Sequence, residues 1–248
     1  MLPINIILEE DTFLVIEKPI GVVVNRADSV EGETIQDWME NKFSIFNPST
    51  SSGQVFQFSN KEEEEFINRS GVVHRLDKET SGLLILAKTV EAFQALKNQF
   101  KQRKTAKEYL ALVHGIPVPK TGTINLPIKR NILNRHKFCV DVDGKMARSA
   151  YQIDHIYKDQ FNNLYSIIRV NIFTGRTHQI RVHLSHLGYP IVSDSLYLGK
   201  RLKQDLTWCP RVFLHAAKLS FLHPLSGERL EFESKLPGDL NRALGKLI

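Results

Sequence analysis

Cysteine is scarce in this 248-residue sequence, and long apolar runs are absent. The two cysteines, Cys139 and Cys209, are too few for a disulfide framework or a cysteine-based zinc site, so we expect plain side chains in a reducing compartment. No apolar run approaches the roughly 20 residues that a membrane span needs. The N-terminal residues also lack the basic and apolar segments of a secretory signal. These absences predict a cytoplasmic protein.

The balance of charge is mildly basic. Lysine and arginine number 33 against 27 for aspartate and glutamate, which gives a formal net charge of +6. Basic residues and histidines form three clusters: Lys97, Lys101, Arg103, Lys104 and Lys107; Lys129, Arg130, Arg135, His136 and Lys137; and Arg176, His178, Arg181, His183 and His186. Such clusters can neutralise several phosphates of a nucleic acid. A solvated lysine-rich face is the alternative for the first cluster.

Apolar patterning predicts a mixture of strands and helices. Strands are predicted at 6–17, 83–87, 107–114, in several pieces of 121–175, at 213–221 and at 229–232, with an extended run at 22–24. Helices are predicted at 34–43, where Thr34 and Asp37 resemble a capping box, at 89–104 and at 179–187. Because these elements do not alternate as βαβ units, we expect an α+β fold with a largely antiparallel sheet flanked by helices.

Residues 44–70 stand apart from this patterning. They contain the polar stretch from Asn47 to Gly53 and the acidic run from Glu62 to Glu65. Strand-like sequence resumes directly afterwards, so we interpret the segment as a surface excursion of one domain that faces away from any RNA.

The densest group of candidate site residues lies at 74–82, HRLDKETSG. Charged and hydroxyl side chains, among them His74, Arg75, Asp77 and Thr80, lie there between two apolar strands, which predicts a loop held by rigid elements. A polar turn that uses Asp77, Thr80, Ser81 and Gly82 as turn formers remains the alternative.

A second candidate group lies at 173–184, FTGRTHQIRVHL, where a strand, a glycine turn and the start of a helix follow one another. Arg176, His178, Gln179 and Arg181 can donate hydrogen bonds there, and the helix start adds backbone N–H groups, so phosphate binding is expected. Metal binding through the nearby histidines is the rival interpretation. It is disfavoured because their spacing is not that of a zinc motif and no acidic residue accompanies them.

Five segments resemble the RluA family of pseudouridine synthases. They are EKPIGVVV at 17–24, GVVHRLDKETSGLLILAKT at 71–89, KEYLALVHG at 107–115, TGRTHQIRVHLSHLGYPIVSD at 174–194 and FLHAAKLSFLHPLSG at 213–227. They occur in the family's order over residues 8–235. The resemblance implies one pseudouridine synthase domain over 1–248, with a central catalytic cleft. In one departure from the family pattern, we expect the accessory N-terminal RNA-binding domain of many relatives to be absent.

The resemblance also implies roles for individual residues. Asp77 matches the family's essential aspartate, and Arg75 matches an arginine that helps to evict the target base. Tyr109 matches the active-site tyrosine, and Arg181 matches the basic residue that pairs with the aspartate. We expect catalytic roles for Asp77, Tyr109 and Arg181. We expect substrate contacts from Arg75, His74, Thr80, Arg176, His178 and Gln179.

The implied reaction breaks the N1–C1′ bond of a uridine, rotates the uracil and rejoins it through C5. It involves no net redox change, so no cofactor or metal is expected. Asp77 must be ionised to act as a nucleophile or a base, and Arg181 beside it would favour the charged form. The expected substrate is a uridine flipped from a ribosomal or transfer RNA stem-loop by a monomeric enzyme.

Three other functions remain open on the residues alone. A non-catalytic RNA-binding protein with the same fold would explain the charge. A metal-dependent hydrolase would use the histidines, and a glycoside hydrolase would need a second facing carboxylate beside Asp77, for which only Glu79 is at hand.

Overall fold

The computed structural model describes residues 2–27, 30–46 and 59–248. The chain forms two compact units, one of residues 1–105 and 219–232, and the other of residues 106–218 and 233–248. Among the described residues no helix has the length and apolarity to cross a membrane.

Ten strands and six helices make up the described fold. The strands are β1 Asn5–Glu9, β2 Phe13–Lys18, β3 Ser81–Ala87, β4 Ala106–His114, β5 Thr121–Arg130, β6 Phe138–Val140, β7 Lys145–Lys158, β8 Leu164–Ile172, β9 Leu214–Leu222 and β10 Arg229–Glu233. The helices are α1 Ile35–Lys42, α2 Lys61–Asn68, α3 Val90–Lys101, α4 Gln179–His186, α5 Leu202–Asp205 and α6 Gly238–Leu244.

The first unit is built on the antiparallel strands β1, β2 and β3, joined by the end of β9 and by β10. Every residue of β3 is buried, as expected for a strand that is covered on both faces. Helices α2 and α3 pack together, with the rings of Phe66 and Phe93 5.7 Å apart. Gly71 precedes the predicted catalytic loop, and only glycine fits there, since a Cβ would lie 2.0 Å from the carbonyl oxygen of Ala87.

The second unit is an antiparallel sheet in the order β9-β4-β8-β7-β5-β6. Helix α4 packs on β5, β6 and β7. Val182 of α4 is buried against Ile128 of β5 and Ala147 of β7, and these three side chains form a small apolar cluster. This contact fixes the helix that carries Arg181.

The sequence predicted most of these elements and the α+β class, and the structure confirms them. Thr34 caps α1, and its capping box with Asp37 is present because both partners lie within one helical turn. Two strands at 6–17, the buried strand at 83–87 and the helices near 89–104 and 179–187 are also present.

The structure differs from the sequence predictions at three places. The extended run at 22–24 is not a strand; the carbonyls of Val23 and Val24 instead accept hydrogen bonds from the first N–H groups of α1. The acidic run lies in α2, where Asn60 caps the helix and the acidic residues of the first turn favour its N-terminus. Helices α5 and α6 were not predicted. The polar stretch at 47–53 lies outside the described residues.

Candidate active site

Asp77 lies in the loop between Val73 and Ser81 of the first unit and is partly buried. Its carbonyl accepts a hydrogen bond from the backbone N–H of Thr80 at 3.1 Å, and this closes a turn directly after it. Arg75, two residues earlier, is exposed and makes no hydrogen bond or ion pair within the described part of the chain. The loop therefore presents a carboxylate with a free guanidinium close to it in sequence.

The buried ammonium of Lys18 anchors this loop. Its side chain is 1% exposed, and Nζ donates to the carbonyls of Pro19 at 2.8 Å, Val22 at 2.9 Å and Lys78 at 3.4 Å. The N–H of Gly21, whose φ is +83°, also donates to the carbonyl of Lys78 at 2.8 Å. The residue after Asp77 is thus anchored by a buried ammonium and a glycine turn.

His74 and Thr80 contact the body of the unit. Nε2 of His74 accepts a hydrogen bond from the N–H of Ile85 at 3.1 Å, so the ring is held to β3. The same ring stacks on Phe100 of α3, with centroids 4.4 Å apart. Thr80 is 2% exposed. Both residues shape the loop, and their predicted contact with RNA stays a prediction.

Tyr109 lies in β4 of the second unit, opposite Val170 of β8, and is 6% exposed. Lys107 lies two residues earlier and therefore on the same face of the strand. It is partly buried, and burial lowers the pKa of its ammonium to about 8. The face of β4 that carries Tyr109 thus also carries a lysine whose charged form is disfavoured by burial.

Gln179 organises the turn that leads into α4. Its Oε1 accepts hydrogen bonds from Thr174 Oγ1 at 2.7 Å and from the N–H of Arg176 at 3.0 Å. Its Nε2 donates to the carbonyl of Arg148 at 3.0 Å and to Oγ of Ser149 at 2.9 Å. The amide is fully used within the protein, so the structure gives Gln179 a positioning role. Arg176 is exposed, and its Nε donates to the carbonyl of Met146 at 3.2 Å.

The same chain of hydrogen bonds continues to His183. Ser149 Oγ lies 3.0 Å from Nδ1 of His183, and Nε2 lies 3.2 Å from the carbonyl of Leu126. That carbonyl only accepts, so Nε2 carries the proton and Nδ1 accepts from Ser149. Burial lowers the pKa of His183, which keeps the ring neutral. His183 thus anchors α4 on the sheet.

Arg181 forms a buried, two-pronged ion pair with Asp194. Nε lies 2.8 Å from Oδ2 and Nη2 lies 2.7 Å from Oδ1, and the two side chains are 2% and 0% exposed. Asp194 Oδ1 also accepts from the N–H groups of Leu196 and Tyr197. Arg181 was predicted to pair with Asp77, which belongs to the other unit, and that pair stays a prediction.

Tyr197 connects Arg181 with His178. The guanidinium of Arg181 lies 5.4 Å from the centre of the Tyr197 ring, and the hydroxyl of Tyr197 lies 3.0 Å from Nδ1 of His178. The hydroxyl also accepts a hydrogen bond from the N–H of Phe138 at 2.9 Å. His178 itself has a left-handed backbone, with φ of 55°. The structure thus brings His178 and Arg181 together around one tyrosine.

Sequence reasoning missed three residues of this arrangement. Lys18 and Asp194 both lie in segments that resemble the family motifs, but their partners are set by the path of the chain. Tyr197 lies beyond those segments and carried no signal in the sequence.

The histidines of α4 were also candidates for a metal. Among the described residues no three histidine, cysteine, aspartate or glutamate side chains are placed to hold a metal ion. His178 and His183 have the separate protein partners named above.

Comparison with known proteins agrees with this geometry. The family model for RNA pseudouridylate synthase matches residues 12–186. A Chloroflexus aurantiacus protein named as an uncharacterized RNA pseudouridine synthase is 47% identical over 179 residues, which cover 72% of this chain and 54% of that protein. The ribosomal large subunit pseudouridine synthase D of Pseudomonas aeruginosa is 37% identical over 245 residues, which cover 95% of this chain and 69% of that protein.

A solved structure is similar over most of the chain. The human RNA Pseudouridylate Synthase Domain Containing 1 is 27% identical, with a TM-score of 0.68, and the match covers 94% of this chain and 83% of that one. The loop with Asp77, the strand with Tyr109 and the helix with Arg181 all lie in the region that the family model matches. The chain therefore belongs to the RluA family of RNA pseudouridine synthases, and it is an isomerase that acts on RNA.

Proposed function

We propose that this enzyme isomerises one or a few uridines in a stem-loop of large-subunit ribosomal RNA, with Asp77 as its catalytic carboxylate. Relatives named as ribosomal large subunit pseudouridine synthases support the choice of RNA. The observation that carries the assignment of Asp77 is the anchoring of its loop. The carbonyl of Lys78, the next residue, is held by the ammonium of Lys18 and by the N–H of Gly21.

The reaction requires one bond to break and another to form within the same nucleotide. The N1–C1′ bond breaks, C5 bonds to C1′, C5 loses a proton and N1 gains one, so the atoms balance without an added reagent. A carboxylate can serve as nucleophile or as base in this sequence. A preorganised loop favours the step because Asp77 needs no rearrangement at the moment of reaction.

Separate roles follow for the other predicted residues. The exposed guanidinium of Arg75 can hold a backbone phosphate or fill the space that a flipped base leaves. Tyr109 offers a ring on which uracil can stack. Arg181, held in one orientation by Asp194, keeps the catalytic role that the family resemblance implies for it. Monomeric state and cytoplasmic location stay predictions from the sequence.

Pseudouridine mapping tests the proposal. Carbodiimide-dependent reverse-transcription stops are compared in total RNA from cells with the gene, without it, and with Asp77→Asn restored. One or a few stops in large-subunit ribosomal RNA should vanish without the gene and stay absent with Asp77→Asn. If the stops that vanish without the gene lie in transfer RNA, the substrate is transfer RNA instead of ribosomal RNA. Stops that return with Asp77→Asn would remove Asp77 from the catalytic role, and unchanged stops throughout would favour a binding protein.

A further inference from the structure

A cavity of about 280 Å³ lies on the second unit beside α4. Three segments surround it, namely helix α4, strand β6 with the turn before it, and residues 196–197. Its lining residues are Asn131, Lys137, Phe138, Cys139, Val140, Val182, Ser185, His186, Leu196 and Tyr197. Its size is at the lower end of small-molecule sites, which suits one nucleotide better than a larger ligand.

Four polar side chains of the cavity, those of Asn131, Lys137, Ser185 and His186, have hydrogen-bond donors without partners among the described residues. The side chains of Lys137, Ser185 and His186 make no hydrogen bond or ion pair within residues 2–27, 30–46 and 59–248. Oδ1 of Asn131 accepts from the N–H groups of two following residues, so its Nδ2 is left to donate. Four donors that face one cavity favour a ligand rich in acceptors.

The charge of the cavity has one sign. Lys137 is the cation of the lining, and none of the lining residues is an aspartate or a glutamate. The guanidinium of Arg130 lies 4.8 Å from the centre of the Phe138 ring, so a further positive charge stands beside the wall. The nearby Lys129 pairs with Asp141 instead. Positive charge at Lys137 and Arg130 thus favours a phosphate group.

The remaining walls are apolar. Val140, Val182 and Leu196 line the cavity, together with the rings of Phe138 and Tyr197. A bare phosphate would leave these walls in contact with water, whereas the base of a nucleotide would cover them. Proteins commonly recognise RNA through bases that are splayed out of the helix and held against such surfaces.

We propose that this cavity binds a second, non-reacting nucleotide of the RNA substrate, with its phosphate at Lys137 and His186 and its base against the apolar walls. The proposal rests on the proposed function, since it assumes an RNA substrate. Tyr197 is the structural reason for placing this nucleotide near the target uridine. It lines the cavity and also contacts Arg181 and His178.

Kinetics of matched variants test the proposal on an RNA in which the wild type forms pseudouridine. Lys137→Gln and His186→Ala should each raise KM by about fivefold or more while kcat changes by less than about twofold, because they remove binding contacts and no reacting group. Lys200→Gln removes an exposed lysine of the same unit outside the cavity and should leave both constants unchanged. Equal KM values for Lys137→Gln and Lys200→Gln would overturn the proposal.

The rate at which iodoacetamide alkylates Cys139 reports whether the cavity is occupied. Cys139 lines the cavity and is partly exposed, whereas Cys209 is buried and serves as the internal reference. RNA at about ten times its Kd should slow alkylation of Cys139 roughly tenfold in the wild type, and Lys137→Gln should weaken this protection. Unprotected Cys139 under these conditions would contradict the proposal.

Two small probes separate a nucleotide site from a general anion site. Uridine 5′-monophosphate should protect Cys139 at concentrations where inorganic phosphate does not, because only the nucleotide covers the apolar walls. Equal protection by inorganic phosphate would overturn the nucleotide assignment. Wild-type protein that makes no pseudouridine in any RNA would instead refute the proposed function, so the two failures are distinguishable.

Discussion

Arg181 and Asp194 form a buried ion pair in which Nε donates to Oδ2 at 2.8 Å and Nη2 donates to Oδ1 at 2.7 Å. The pair joins the middle of α4 to the segment after it, and Asp194 also accepts from two backbone N–H groups. Arg181 is therefore held in one orientation by Asp194. This relationship makes Asp194 a positioning residue for the proposed reaction.

Asp194→Asn should lower kcat and stability together. Removal of one partner from a buried pair costs about 3–5 kcal/mol, because the other charge remains buried. Arg211 and Asp239 provide a matched control, since they form a second two-pronged pair in the same unit, at 2.6 and 3.1 Å. Asp239→Asn should reduce stability but leave kcat of the folded protein unchanged. Urea unfolding and single-turnover kinetics measure both effects, and equal kcat values for the two variants would argue against the positioning role.

Asp77→Asn should abolish turnover while RNA binding persists. We expect kcat to fall by at least about 100-fold, the lower end of what a general base contributes. Glu79→Gln removes a carboxylate from the same loop and should leave turnover near the wild-type value. Filter binding and pseudouridine formation are measured in parallel. If Glu79→Gln were the inactive variant, the catalytic carboxylate would have been assigned to the wrong residue.

Tyr109 should contribute to kcat/KM mainly by stacking of its ring on the uracil. Tyr109→Leu removes a stacking surface worth about 1–3 kcal/mol per base, so kcat/KM should fall by roughly 5- to 150-fold. Tyr109→Phe keeps the ring and isolates the contribution of the hydroxyl. Tyr165→Phe is the control, because Tyr165 is a buried tyrosine of β8 whose hydroxyl bonds to Asp159. A similar loss for Tyr165→Phe would mean that the effect is structural.

Lys107 should make stability rise with pH above about 8. Burial lowers its pKa to about 8 in the folded protein, whereas an unfolded lysine has a pKa of about 10.4. Between these values the unfolded chain binds the extra proton, so the free energy of unfolding increases with pH. Lys107→Met should lack this increment. Urea unfolding of both proteins at pH 7.5, 9 and 10 gives the difference, and a difference that is constant with pH would show that the ammonium is not perturbed.

The salt dependence of RNA affinity should distinguish a cation that contacts a phosphate from one that is paired within the protein. Arg75 is exposed and without a partner among the described residues, whereas Lys97 forms an ion pair with Glu65. Each phosphate contact contributes about 0.7 to the slope of log K against log salt for single-stranded RNA. Arg75→Gln should reduce the slope by about that amount, and Lys97→Gln should not. RNA binding at several salt concentrations decides this, and an unchanged slope for Arg75→Gln would exclude a phosphate contact.

The sequence by itself determined the local features. The capping box of Thr34 and Asp37, the buried strand β3 and the start of α3 at Thr89 depend on residues within a few positions of one another, so their patterns are readable. The loop with Asp77 was located in the same way, because polar residues between two apolar runs must leave the core. The family resemblance then supplied the roles.

Only the tertiary structure decided which side chains hold that loop and helix α4. Lys18 contacts a carbonyl 60 residues away, and Arg181 pairs with an aspartate 13 residues away. The cavity beside Lys137 is formed by three segments that no periodicity connects. Buried charges and donors must be paired or hydrogen-bonded, and their partners come from segments that lie together only after the chain has folded. That pairing is a property of the folded chain, and no local pattern encodes it.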